Sequence, residues 1–159
     1  MQDNKVAIIT ARGGSIRIPR KNIKLFSGRP IIEYSIQAAL QSVLFDEVMV
    51  STDDHEIAEV ALKAGAKVPF FRCEENSNDF ALTAEVICKV IGSYREQNQF
   101  FNKGCCIYPT APFISPELLI QGYNLFEDKK FDVVFPVIQY SYPVQRSVHI
   151  LHDSKAAML

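Results

Sequence analysis

The chain lacks a surplus of charge of either sign. Seventeen lysines and arginines face eighteen aspartates and glutamates, for a net charge of −1. General nucleic-acid and membrane-surface binders carry a broad basic excess, so neither partner is expected. No apolar run approaches the length of a membrane span. Met1 to Lys5 is too short and polar for a signal peptide, which makes the cytoplasm the expected location. The four cysteines, Cys73, Cys88, Cys105 and Cys106, show no Cys-x-x-Cys spacing and no nearby histidine pair. That speaks against zinc and thioredoxin-like chemistry, and all four are expected as reduced thiols, mostly small core residues. Cys105 and Cys106, adjacent on one predicted strand, should point to opposite faces. Two common phosphate loops are also missing. No Lys-Ser or Lys-Thr dipeptide occurs to complete a Walker A loop, and Gly13-Gly14 is followed by no third glycine before Gly28 to complete a dinucleotide fingerprint. No repeat, linker or low-complexity tract divides residues 1–159, which are expected to form a single domain.

What is present is an alternation of strand and helix. At 48% hydrophobic and 22% charged, the chain has the apolar content for a real core. Strands are predicted at Val6–Thr10, Glu47–Ser51, Val68–Phe71, Cys105–Tyr108 and Val133–Val137. Helices are predicted near Ile31–Ser42, Glu56–Ala64, Thr83–Gln97 and Pro116–Glu127. Ile32, Ser35, Ile36, Ala39 and Leu40 form the stripe of the first helix. Gly65 closes the second, and Ser115-Pro116 opens the fourth as N-cap and first helical residue. This pattern gives an α/β fold with a mostly parallel sheet and helices on both faces. Ligands in such folds lie over the carboxyl ends of the strands.

The stretch after the first strand is the most informative. Ala11 to Asn22 holds two adjacent glycines, a serine and four cations: Arg12, Arg17, Arg20 and Lys21. Adjacent glycines let backbone N–H groups turn toward one point. Cations that close would repel one another unless an anion sits among them, and a polyphosphate meets that demand. The alternative is a solvated basic loop.

Other strand ends supply further candidates. After the second strand, Asp53 and Asp54 read either as metal ligands or as the N-cap of the next helix. A lone Asp-Asp pair is a weak metal signal, so capping is favoured. Arg72 opens a long polar connection that runs through Asp79 toward Thr83, both also readable as caps. Tyr108-Pro109-Thr110-Ala111-Pro112-Phe113 is a turn stiffened by two prolines that fixes the Thr110 hydroxyl. Gln145 and Arg146 carry amide and guanidinium donors suited to a sugar's hydroxyls and carboxylate, and Tyr140 and Tyr142 offer faces for a pyranose.

Ala11-Arg12-Gly13-Gly14-Ser15-x-Arg17-Ile18-Pro19-Arg20-Lys21-Asn22 closely resembles the signature of the CMP-sialic acid synthetases, cytidylyltransferases that activate nonulosonic acids. Ser51-Thr52-Asp53-Asp54, Arg72, Asp79, Thr83 and Pro109-Thr110-Ala111-Pro112-Phe113 match in the same order. Pro143-Val144-Gln145-Arg146 looks most like the branch that activates pseudaminic acid. The family carries a lysine where this chain has Ile16, one phosphate contact fewer, and often a glutamine where it has Tyr108.

The resemblance implies a Rossmann-like nucleotidyltransferase fold and transfer of CMP from CTP to a nonulosonic acid. Arg12 and Lys21 would act on the phosphates. Ala11, Gly13, Gly14, Ser15, Arg17, Asn22, Arg72, Asp79 and Thr83 would complete the nucleotide site, and Tyr108, Thr110, Gln145 and Arg146 the sugar site. Mg²⁺ is the implied cofactor, and a homodimer the implied assembly of the complete protein. Family members are longer, so the chain is expected to be truncated at its C-terminal end, with the family's metal aspartates beyond Leu159. Two alternatives are a nucleotide-binding module without turnover and a glycosyltransferase of similar fold. The latter would want an Asp-x-Asp metal motif, and the chain has none.

Overall fold

The computed structural model describes residues 4–15, 17–72, 82–139 and 141, together with the backbone of 148–150 and 156–158. The chain forms two compact units, Met1–Asn124 and Leu125–Leu159.

In the first unit, β1 (Lys5–Thr10) is the central strand, with Val6 to Ile9 buried on both faces. After a 3-10 turn at Lys21–Ile23 comes a hairpin of β2 (Leu25–Phe26) and β3 (Arg29–Pro30). It is joined by Ser27 and Gly28, both at positive φ, the conformation of a two-residue turn that matches strand twist. Helix α1 (Ile31–Gln41) follows, then β4 (Glu47–Ser51), α2 (His55–Lys63), α3 (Thr83–Glu96), β5 (Lys103–Ile107) and α4 (Pro116–Lys129). The sheet order is β4-β1-β5, all parallel, with Ile8 opposite Met49 on one side and Cys106 on the other.

Alternation along β1 divides the core in two. Ala7 and Ile9 pack with Val48, Val50 and Ile107 against Ile32, Ile36 and Ala39 of α1 and Ile57 and Ala61 of α2. Val6, Ile8 and Met49 face Val86, Val90 and Tyr94 of α3, which recur every fourth residue and so share one stripe. Helices therefore cover both faces of the sheet, as the sequence pattern requires. The expected ends are also present. Asp54 caps α2 by accepting from the Ile57 N–H at 3.0 Å. Gly65, at φ +95°, ends that helix in a conformation costly for other residues. The Ser115 hydroxyl accepts from Leu118 N–H at 3.3 Å at the start of α4.

At the amino end of β4 lies a polar knot. The Glu47 carboxylate is buried, and it accepts from the Tyr94 hydroxyl, from Lys67 Nζ at 2.9 Å and from Gln99 Nε2 at 3.1 Å. Burial alone would lift the Glu47 carboxyl, but the three donors outweigh it and hold the group below its ordinary value. The Tyr94 hydroxyl is pushed up by burial and by the adjacent carboxylate. The knot ties α3 to the sheet on the edge opposite the loops of interest.

Two predicted strands do not form. On the side of β4 away from β1, Lys67 alone among the described residues bridges, to Met49, donating to the Val48 carbonyl and accepting from the Val50 N–H. Pro69 has no N–H with which to extend that ladder, so Val68–Phe71 stays irregular. Val133–Val137 carries no regular structure either, and Pro136 interrupts it in the same way. The cysteine reading is corrected in part as well. Cys105 is partly buried and Cys106 exposed, on opposite faces as expected, but Cys88 and Cys106 are not core residues. Burial raises the Cys105 thiol to about 11. Cys73 lies outside the described residues. In the second unit, β6 (Val148–Ile150) pairs antiparallel with β7 (Ala156–Met158), a hairpin the sequence reading did not anticipate.

Candidate functional site

The carboxyl ends of β1 and β4 meet at one carbonyl. Ser51 O accepts from the Ala11 N–H at 2.9 Å and from Arg72 Nη2 at 2.8 Å. Arg72 Nε also reaches Ser51 Oγ at 3.3 Å, and the Arg72 N–H donates to Thr52 O at 2.8 Å. The root of the glycine loop and the guanidinium proposed for the nucleoside are thus anchored to the same peptide. A parallel sheet brings them together although sixty residues separate them in sequence.

The loop itself is held by the Asp-Asp pair after β4. Asp53 Oδ1 accepts from the Gly13 N–H at 2.8 Å. A Cβ on Gly13 would stand 2.6 Å from Asp54 Oδ2 and 3.0 Å from Asp54 Cβ, so any larger residue there would force Asp54 to shift. The Ser15 N–H turns back to Gly13 O at 2.9 Å. Of the three N–H groups expected to cradle phosphates, those of Gly13 and Ser15 already donate within the protein. Gly14 is exposed, with nothing within 4 Å of where its Cβ would be. The cradle reading therefore narrows to Gly14.

The four loop cations divide in the same way. Arg20, at φ 55° in the left-handed region, sends its guanidinium to Asp54 and Glu56, with one Nη2–Oδ1 distance of 3.0 Å. The Arg20 hydrogen bond holds the Asp54 carboxyl below its ordinary value, and Asp54 in turn raises Arg20. Arg17 is exposed and Lys21 half-buried. Neither makes an ion pair among the described residues. Asn22 is 3% exposed and donates from Nδ2 to the Arg12 carbonyl at 2.8 Å, which fastens the two ends of the loop together. Its Oδ1 is buried without a hydrogen-bond partner.

The remaining candidates lie at other positions around the sheet. Tyr108 follows β5 with its ring 60% exposed and its carbonyl accepting from buried Ser35 at 2.8 Å. Thr110 is half-buried just ahead of the turn that Ile114 N–H closes on Ala111 O at 3.2 Å. Beside it, Phe113 is 84% exposed and meets Phe26 edge-on at 6.0 Å. Thr83 is the first residue of α3. Asp79, Tyr140, Tyr142, Gln145, Arg146 and Ile16 lie outside the described residues. Sequence reasoning did not find the Asp53 contact to Gly13 or the pairing of Arg20 with Asp54. A visible signal existed: two carboxylates directly after the strand that neighbours a basic loop.

A sequence model described as cytidylyltransferase matches residues 6–155. The chain belongs to the cytidylyltransferase family. It is 44% identical over 153 residues to the pseudaminic acid cytidylyltransferase of Campylobacter jejuni, a match covering 96% of this chain and 66% of that protein. It is 39% identical over 114 residues to the CMP-N,N'-diacetyllegionaminic acid synthase of Legionella pneumophila, covering 72% of this chain and 49% of the other. Its fold is that of a CMP:2-keto-3-deoxy-manno-octonic acid synthetase solved in complex with CTP. The TM-score is 0.66 at 24% identity, over 80% of this chain and 48% of that one. The chain spans just under two thirds of the length of the Campylobacter jejuni relatives and about half or less of the others. The matched residues 6–155 span the glycine loop, Arg72 and the proline turn.

Proposed function

We propose that this cytidylyltransferase transfers CMP from CTP to a nonulosonic acid, pseudaminic acid or a close relative, and releases pyrophosphate. One observation supports the reading above others. Within the described loop Arg20 is paired with carboxylates, while Lys21 and Arg17 make no ion pair among the described residues and Gly14 stays open. A loop that only needed solvation has no reason to sort its charges this way.

In this reading the sugar's anomeric hydroxyl attacks the α-phosphorus of CTP. Catalysis is positioning plus neutralisation of phosphate charge, with no covalent protein intermediate. Arg12 and Lys21 hold the β- and γ-phosphates and stabilise departing pyrophosphate, with Arg17 assisting. The Gly14 N–H faces the phosphates, while Ala11, Gly13 and Ser15 shape the loop. Asn22 positions Arg12 through its carbonyl. Arg72, with Asp79 and Thr83, addresses the nucleoside. Tyr108, Thr110, Gln145 and Arg146 belong to the sugar side, and a homodimer completes the assembly.

CTP-dependent chemistry of this class generally draws on a divalent cation, here Mg²⁺. The carboxylates beside the loop do not fit such a site as they stand. Asp53 serves the Gly13 N–H, and Asp54 serves Arg20 and the Ile57 N–H. Among the described residues no group of three or more His, Cys, Asp and Glu converges. Pyrophosphate release from CTP, measured across a panel of nonulosonic acids, tests the reading. Release with one acid and none with the others supports it, and equal rates with and without any acid reject it.

A further inference from the structure

The Asp54–Arg20 pair crosses the glycine loop at its two ends. Asp54 presses its carboxylate on Gly13, where a Cβ would be 2.6 Å away, and grips Arg20 seven residues further along. Glu56 pairs with Nη2 of the same guanidinium, which it shares with Asp54. Arg20 stands at φ 55°, ψ 30°, the left-handed conformation that an L-residue other than glycine avoids. Something must hold it there, and the bidentate pair is the contact that does so. The kink matters because it sets the next residue. Lys21 begins the 3-10 turn, and the Ile23 N–H closes that turn on Arg20 O at 3.1 Å. Asn22, one residue on, fixes the Arg12 carbonyl.

We propose that Asp54 and Arg20 are positioning residues for the nucleotide site: their ion pair, backed by Glu56, locks the left-handed kink that aims Lys21 and Arg12 at the terminal phosphates. Arg20 is then not a phosphate ligand, despite its place in the basic run. Asp54 is not a metal ligand. The inference rests on the cytidylyltransferase reading for what the loop binds, but not for how the loop is held.

The experiment has two arms. In the first, without nucleotide, amide hydrogen exchange is compared in wild type, Asp54→Asn, Arg20→Ala and Arg20→Gly. Asparagine caps helices as well as aspartate, so α2 is preserved while the charge is lost. Asp54→Asn and Arg20→Ala should each speed exchange in residues 13–24 about tenfold and leave α3 and β5 unchanged. Arg20→Gly, free to adopt positive φ, should show less of that increase than Arg20→Ala. Loop exchange at the wild-type rate in Asp54→Asn overturns the proposal.

In the second arm, CTP and CMP affinities are measured by calorimetry. Loss of the lock should lower the CTP:CMP affinity ratio about tenfold, and the double variant Asp54→Asn/Arg20→Ala should lose no more than either single one. Additive losses would make Arg20 a direct phosphate ligand and overturn the lock. A wild-type chain that binds no CTP would reject the cytidylyltransferase reading and leave the exchange result to decide the lock by itself.

Discussion

Asp54 fills the space beside Gly13: a methyl on Gly13 would stand 3.0 Å from Asp54 Cβ, 3.1 Å from its Cγ and 2.6 Å from its Oδ2. The neighbouring Gly14 has nothing within 4 Å. Adjacent glycines in one loop therefore answer to different demands. Gly13→Ala should lower stability by about 1–3 kcal/mol, since Asp54 is held by Arg20 and by its cap and cannot easily withdraw. Gly14→Ala should stay within about 0.5 kcal/mol of wild type and instead weaken CTP binding, because its methyl intrudes where the backbone meets phosphate. Scanning calorimetry with and without CTP separates the two. Equal melting temperatures for both variants would contradict the contact.

Arg12→Ala and Lys21→Ala address the cations themselves. CTP at a hundred times its dissociation constant should stabilise the wild-type chain by about 2.7 kcal/mol through mass action. Each substitution should remove most of that shift, and Lys21→Ala should leave the unliganded melting temperature close to wild type. If both variants respond to CTP as wild type does, the two residues are not phosphate ligands.

Stability should fall on acidification, and the sign follows from the direction of the shifts. Glu47 and Asp54 both have folded-state values below ordinary ones. Their contribution is therefore complete above the unfolded values of about 4 and disappears as pH drops through the lower folded ones. Tyr94→Phe removes one donor from buried Glu47 and should cost about 1–3 kcal/mol at neutral pH. It should also flatten the loss of stability below about pH 4, because the folded Glu47 then titrates nearer its ordinary value. Denaturant melts at several pH values check this. An unchanged acid limb in Tyr94→Phe would show that the knot does not set it.

Arg146→Ala tests the division between nucleotide and sugar. It should raise the KM for the acid or lower kcat, with CTP affinity nearly unchanged. Collapse of CTP binding in calorimetry would place Arg146 on the wrong side of that division.

The fold was legible where one physical signal dominated. The buried run of β1 and the Gly65 and Ser115 ends follow from local pattern, and so does the α1 stripe except at Leu40, which is exposed while Ala38 takes the buried place. The failures at Val68–Phe71 and Val133–Val137 share a cause. Each run is apolar enough for a strand but contains a proline, Pro69 or Pro136, which withholds a ladder donor. The β2–β3 hairpin was signalled by Ser27-Gly28 but is too short to show alternation. At the site, a basic glycine loop was visible from composition alone. The roles of Asp53, Asp54 and Arg20 were not, because they depend on which strand lies beside β1. Their pairing is a property of the sheet order and not of any local window.

That sheet order has a consequence for how the protein is made. β1 is synthesised first, yet it pairs with β4 beginning at Glu47 and with β5 beginning at Lys103. Its neighbours arrive late, and parallel pairing of this kind must close long loops before it is rewarded. The glycine loop waits in the same way, since the Gly13 N–H has no Asp53 to meet until forty residues later. A ribosome must release Ser51 to Glu56 before the loop's partners are in reach, and Ile107 before β1 gains its second neighbour, so a nascent chain shorter than about Glu56 carries the loop sequence without the loop's shape. A stalled chain ending near Gln41 should expose residues 11–22 to protease, and one carried past β5 should protect them.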